Sequence, residues 1–305
     1  MSVPRSSSQR IDGAMKSRYG SPVDWKGRLR QPGVLAAFGA ALLFGAGTPL
    51  AKLLLRTVDP WLLAGLLYLG SGLGLTLYRR LVRAPAVRLA KSEIWWLAGA
   101  IAAGGVVGPV LLMFGLTGTP ASGASLLLNA EGMFTALLAW FVFKENFDRR
   151  IALGMAVILA GAAILSWPEE VRLAALWPAL SILGACLAWG VDNNLTRKVS
   201  LTDATWIASI KGLAAGAVNL TLAIGLGAQL PPVRAAAAAM VIGLLAYGVS
   251  LTLFVVALRH LGTARTSAYF SVAPFLGAVL AVMLGDAITP RLLAAGTLMA
   301  VSGCT

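Results

Sequence analysis

The sequence predicts an all-α integral membrane protein whose ten transmembrane helices form two inverted five-helix repeats. Three observations predict it. Hydrophobic residues make up 58% of the 305-residue chain and charged residues only 12%, against about 25% charged in soluble domains; mean hydropathy is +0.81. The second half echoes the first: Arg149, Gly154 and Gly161 recur as Arg291, Gly296 and Gly303, a constant offset of 142 residues, which also carries Gly132-Met133-Phe134 onto Pro274-Phe275-Leu276. Nearer the start of each half, Phe44-Gly45 and Asp59-Pro60 match Trp189-Gly190 and Asp203-Ala204, at offsets of 145 and 144. Finally, the positive charges of equivalent loops are exchanged between the halves. A duplicated unit with an odd number of spans must insert upside down relative to its twin, and that explains the exchange.

Residues 1–32 read as a basic, disordered arm with no apolar core at the start, so they are not a signal peptide. Stretches near the ~20 apolar residues needed to cross a bilayer follow at 33–55, 60–78, 94–116, 120–143 and 150–167, then at 174–194, 204–226, 236–258, 265–285 and 289–305. The repeats are therefore 33–167 and 174–305. Asp59-Pro60, Gly118-Thr119-Pro120, Pro231-Pro232 and Thr289-Pro290 are breakers at the joins. The last span ends at Thr305, which leaves it short and open to being truncated.

Nineteen Lys and Arg fall on the side of the N-terminus and four on the other, with Lys52 and Lys211 inside spans. The positive-inside rule then places the N-terminus in the cytoplasm, in a multi-pass protein of a bacterial inner membrane. The net charge of +13 is thus topology information. It forms no basic stripe interleaved with aromatics, and nucleic acid is not an expected partner. One histidine and two cysteines suggest neither a metal centre nor a disulfide framework, and no cofactor is expected.

The chain resembles the EamA-type permeases of the drug/metabolite transporter superfamily. The resemblance rests on Phe44-Gly45 followed by Pro49-Leu50-Ala51-Lys52, on Gly132-Met133-Phe134-Thr135-Ala136-Leu137-Leu138 leading to Lys144-Glu145, and on Gly154 and Gly161. Pro274-Phe275-Leu276-Gly277-Ala278-Val279 and Gly296 echo these in the second half. It covers about residues 33–303. It implies a carrier that exports an amino acid or similar compound. The chain departs from the family pattern at Gly132, where such proteins often have proline, with Glu131 beside it.

Glu131 lies at the middle of the fourth span, where a carboxylate costs about 2.5–3.5 kcal/mol on insertion scales. Its repeat mate is Ala273, so duplication does not explain it. It is either a substrate-ammonium contact or proton-coupling group, or a protonated carboxyl that joins two helices. Asn129, about 200° round the same helix, reads as a helix–helix hydrogen bond. Trp189, Asp192, Asn193 and Asn194 close the sixth span. Three consecutive Asx residues favour local unwinding, and an unwound end at a cavity is where transporters hold ligands; a polar interfacial cap is the plain alternative. Lys211, at a comparable depth in the seventh span, can pair with Asp192 as a structural link or a gate. Lys52 reads as a snorkelling side chain, though it occupies the family's first-span lysine position, which the resemblance makes a cavity residue.

Gly70/Gly74, Gly104/Gly108 and Gly212/Gly216 permit close helix approach, either inside the molecule or at the seam of a homodimer. Pro49 and Pro109 are expected to bend or break their helices. Tyr247, Tyr269 and Phe270 are pocket or packing residues. The reading is a secondary carrier that moves a small organic metabolite by alternating access, with protons as a candidate coupling ion. The rivals are a membrane-embedded enzyme and a non-transporting scaffold or channel. The enzyme would need a convergent nucleophile, base or metal set, which the spans do not supply.

Overall fold

The computed structural model describes residues 31–142, 149–166, 173–199, 202–261, 266 and 269–302. Residues 1–30, Lys144, Glu145, Arg265, Gly303 and Cys304 lie outside the described residues.

Helix starts follow the breakers. α1 (Pro32–Leu54) and α2 (Pro60–Leu81) each begin on proline, whose missing N–H costs nothing in a first turn. Asp59 caps α2 by accepting from the backbone N–H of Trp61 and Leu62 at 2.9 and 3.2 Å. Asp203 does the same for α7 (Ala204–Gly225), accepting from Thr205 and Trp206 at 2.8 and 3.2 Å. Between them come α3 (Lys91–Gly118), α4 (Ala121–Phe141), α5 (Arg149–Ser166) and α6 (Leu173–Arg197). α8 runs through Val233–Gly243, Leu244–Val249 and Ser250–Leu261, and α9 (Ala273–Met283) and α10 (Pro290–Ser302) complete the order.

Two irregularities occur at equivalent places in the halves. α3 widens to a π-helix over Ile101–Val107, and α8 does so over Leu244–Val249. α4 breaks into Ala121–Leu127 and Ala130–Phe141, and a turn at 271–272 precedes α9 in the same way.

The described residues bear out the all-helical membrane class rather than the number of spans. Among the described residues, six helices are long and apolar enough to cross a membrane: Pro32–Leu54, Pro60–Leu81, Lys91–Gly118, Ala121–Phe141, Ala204–Gly225 and Val233–Ala257. Ala156–Leu165 and Ala273–Met283 are shorter apolar helices. Pro49 lies inside α1 and does not break it.

Small residues bring the helices together. On α2 and α7, a Cβ at Gly65 would meet Leu220, one at Gly216 would meet the backbone of Leu69, and one at Gly72 the backbone of Leu213. As the number rises on α2 it falls on α7, so the two helices are antiparallel. The contacts Leu69–Gly216 and Gly72–Leu213 exchange under an offset of 144, which is the pattern of a two-fold related pair. Gly45 of α1 lies against the backbone of Ala273 and Gly277 on α9, and Gly190 of α6 against that of Phe134 and Thr135 on α4. The glycine pairs are therefore filled by contacts within the molecule: Gly70 and Gly74 face α8, and Gly104 and Gly108 face α6.

Leu62, Leu63, Leu67, Leu112, Met113, Leu116, Leu127 and Ile182 form the fully buried core. The outside is apolar as well: Leu77, Trp95, Trp177, Leu222 and Met283 are all exposed. Apolar surface on this scale is stable only against lipid or partners. The chain is a multi-pass membrane protein.

Candidate functional site

The site begins with backbone that the widened turn of α3 sets free. The Gly108 N–H bonds the carbonyl of Ala103, five residues back, and so leaves the Gly104 carbonyl without its helical donor. Pro109 has no N–H to offer the Gly105 carbonyl. Unpaired carbonyls inside a membrane protein must find other donors. Gly104 O accepts from the Tyr68 hydroxyl of α2 at 2.7 Å and from Trp189 Nε1 of α6 at 2.9 Å. Gly105 O accepts from Asn219 Nδ2 of α7 at 2.9 Å. Three helices are thus tied to one turn of a fourth. Pro109, expected to bend or break α3, stands where the π-helix passes into a regular helix that runs to Gly118.

Glycine at 104 also makes room for a charge. A Cβ there would collide with the Asp192 carboxylate, and one at Gly108 would come within 2.8 Å of Trp189 Nε1. Asp192 is buried, and Lys211 Nζ of α7 donates to both its oxygens, at 2.5 and 2.6 Å. Thr196 Oγ1 donates to Asp192 Oδ1 at 2.8 Å and accepts from Lys211 at 3.3 Å.

Glu131 stands one residue into the second piece of α4. Asn193 Nδ2 donates to its Oε1 at 2.9 Å and to Thr135 Oγ1 at 3.2 Å. Asn194 Nδ2 donates to the carbonyls of Thr135, at 3.0 Å, and Gly190, at 2.8 Å. Glu131 is half-buried, Asn193 is exposed, and a Cβ at Gly132 would meet nothing within 4 Å. The helix flank next to Glu131 is therefore open.

The expected unwinding at Asp192–Asn194 does not occur: α6 stays helical to Arg197. Each of the three side chains has a partner on another helix, so none displaces the backbone ladder; Asn194 only adds a bond to the already helical Gly190 carbonyl. The break lies in α4 instead, just before Glu131. Lys52 is the other correction. It does not snorkel but donates to the carbonyls of Leu116 and Thr117 at the C-terminal end of α3, where a cation also suits the helix dipole. At the same end, Ser122 N of α4 donates to Asp286 Oδ2 at 2.8 Å. Asn129 Nδ2 reaches Leu126 O at 2.8 Å and Met299 Sδ of α10 at 3.7 Å, a helix–helix link.

The structure also brings in residues that sequence reasoning did not single out: Tyr68, Thr135, Thr196 and Asn219. Tyr68 stacks on Tyr247 with centroids 5.5 Å apart, and Phe44 meets Tyr247 and Phe270 at 6.2 and 5.4 Å. Tyr269 packs on Phe38 at 5.2 Å. At the far end of α2 and outside the spans, Arg79 binds Asp203 at 2.6 Å. Partial burial pushes the Asp203 carboxyl up, but hydrogen bonds from Thr205, Arg79 and the backbone outweigh it and hold the pKa at about 2. Among the described residues no three His, Cys, Asp or Glu side chains gather as metal ligands. A groove of about 550 Å³ between α9 and α10 is lined by apolar side chains such as Phe275, Val282 and Leu292, and shares no residue with the polar cluster.

The fold and this cluster define a helical multi-pass membrane protein with a charged, partly open centre. The sequence model of the EamA-like transporter family matches residues 31–167 and again 176–305. The chain belongs to that family, and it is a transporter by that membership. It is 25% identical over 287 residues to an uncharacterized transporter of Methanothermobacter thermautotrophicus, covering 88% of this chain and 83% of that protein. A shorter match, 34% identical over 86 residues, covers 27% of this chain and 28% of a probable amino-acid metabolite efflux pump of Salmonella typhimurium. A crystal structure superposes with a TM-score of 0.67 at 18% identity, over 90% of this chain and 95% of the other, a likeness of fold.

Proposed function

We propose that the protein is a secondary carrier of a bacterial inner membrane that exports a small organic metabolite, an amino acid or a compound derived from one, by alternating access. Its ten spans form two inverted five-helix repeats with the N-terminus in the cytoplasm. The antiparallel packing of the equivalent helices α2 and α7 supports the inversion, as do the matched π-turns and helix breaks. The printed name of the Salmonella relative supports the substrate class.

The observation that carries this reading is the Glu131–Asn193–Thr135 cluster beside the open flank at Gly132, at the broken middle of α4. Broken helices with a polar group at the break are how carriers build a midplane site. In this reading Glu131 meets the substrate or a coupling proton, Asn193, Asn194 and Trp189 shape the site, and the Asp192–Lys211 pair holds α6 against α7. Lys52 and Asp286 close the outer end through the ends of α3 and α4. Glu131→Gln in proteoliposomes tests the role of the carboxylate: substrate counterflow is expected to fall at least tenfold and to lose its pH dependence. Unchanged flux with an unchanged pH profile would sink it. Product formation without flux would favour an enzyme instead.

A further inference from the structure

Resting on the carrier reading, we infer that the site binds an organic ammonium ion with no free carboxylate: an amine, or an amino-acid amide or ester. The argument is a charge balance. Lys211 directs hydrogen bonds to both Asp192 oxygens and to Thr196, so its three N–H groups are engaged and the pair is neutral. Lys52 sits at the other end of the bundle on the carbonyls of Leu116 and Thr117. Glu131 is left with a single neutral donor, Asn193, and its flank at Gly132 is open. Among the described residues no cation is hydrogen-bonded to it, and a bound cation would balance its charge.

A free amino acid would bring a carboxylate too, and the site has nowhere to put it. Helix breaks commonly attract anions to the following N-terminus, but the first turn after the α4 break is already occupied by Glu131 itself. The equivalent break before α9 offers little. Pro274 has no N–H, and those of Phe275 and Leu276 bond the Val272 carbonyl. A ligand carboxylate would therefore meet Glu131 while Lys211 is engaged by Asp192 and Lys52 by the carbonyls of Leu116 and Thr117. Tyr68 and Tyr247 stack on each other, and Tyr68 meets at Gly104 O the Trp189 that stands one turn before Asn193; aromatic faces there suit a cation with an apolar body.

Binding of matched ligands to the purified full chain in nanodiscs, followed by calorimetry, tests the assignment. Two series serve: phenethylamine, phenylalanine amide, phenylalanine and 3-phenylpropionate; and 3-methylbutylamine, leucine amide and leucine. Within at least one series the amine and amide should bind at least about thirtyfold tighter than the free amino acid, and Glu131→Gln should erase that preference. Glu131→Asp keeps a carboxylate at the same position and should restore the preference, which separates loss of charge from misfolding. Equal or tighter binding of the free amino acid overturns the assignment, and so does absence of amine binding in both series. If that amino acid also shows counterflow, the carrier reading stands alone; tight amine binding without any flux would sink the carrier reading and leave the ammonium site.

Discussion

Gly104→Ala tests whether the notch in α3 is shaped for the Asp192 carboxylate. The added methyl would collide with three atoms of Asp192, which cannot yield freely because Lys211 and Thr196 hold it at 2.5–2.8 Å. Overpacking costs about 1–3 kcal/mol, and displacing a charge-assisted hydrogen bond adds about 1.5–3 kcal/mol. A loss of about 2.5–6 kcal/mol corresponds to roughly 5–12 °C in the melting temperature of a chain this size. The other half shows how the clash can be relieved. There, Gly47 stands where α6 has Asp192, Ala246 where α3 has Gly104, and Leu67 where α7 has Lys211; a Cβ on Gly47 would lie 3.0 Å from that of Ala246. The triple substitution Gly104→Ala, Asp192→Gly, Lys211→Leu copies that apolar solution. Replacing a buried ion pair by matched apolar groups is often neutral, so the triple variant should melt within a few degrees of wild type while Gly104→Ala alone does not. Melting in detergent, followed by tryptophan fluorescence, reads both. A Gly104→Ala protein as stable as wild type, or a triple variant no better than the single one, would refute the reasoning.

The Arg79–Asp203 bridge makes stability depend on acid. The folded Asp203 pKa of about 2 lies below its unfolded value near 4, so its contribution is complete above that unfolded value and is lost as pH falls through about 2. Its side chain is 32% exposed, which limits the contribution to about 1 kcal/mol. Asp203→Asn should therefore lower the melting temperature at pH 6 by a few degrees and leave it unchanged at pH 2; an equal loss at both would show that the charge is not responsible. Asn219→Ala strands the Gly105 carbonyl that Pro109 cannot serve and should cost about 1–3 kcal/mol. Adding Pro109→Ala returns a backbone donor and should recover part of that loss in the same melting assay, and no recovery would argue against the proline as the origin of the free carbonyl.

Much of the scaffold is legible in the sequence because it depends on local chemistry. Asp59-Pro60 and Asp203-Ala204 are helix starts, and the recurring glycines mark close approaches. The offset that aligns the halves also foretells which contacts repeat. The π-turns are less legible. They follow from a single hydrogen bond shifted by one residue at Gly108, for which Gly104-Gly105 followed by Pro109 is the local hint, and Leu244–Val249 carries no proline at all. Asp192–Asn194 misled for the opposite reason. Their composition favours unwinding, but Lys211, Glu131 and Thr135, 19 to 62 residues away, satisfy the side chains first. Tyr68 and Thr135 carried no signal, since one hydroxyl in an apolar span is common and only the freed carbonyl or the neighbouring amide makes it specific.

The two halves use the same joints for different chemistry. Where α6 meets α3, α4 and α7, the cross-links are directional: Trp189 to Gly104, Asn193 to Glu131, Asn194 to Thr135 and Lys211 to Asp192. Where α1 meets α8 and α9, the equivalent positions hold Phe44 and Gly47, and the contacts are mainly ring on ring, with Ser250 Oγ to the Ala40 carbonyl the exception at 2.9 Å. Hydrogen bonds weaken steeply once their angle or distance departs from the ideal, whereas aromatic contacts tolerate a range of offsets and tilts. On the carrier reading, the α6 face is therefore the one that keeps its geometry, and the aromatic α1 face is the one that slides. Glu131, whose counterpart in the other half is Ala273, is held by Asn193 on that fixed face.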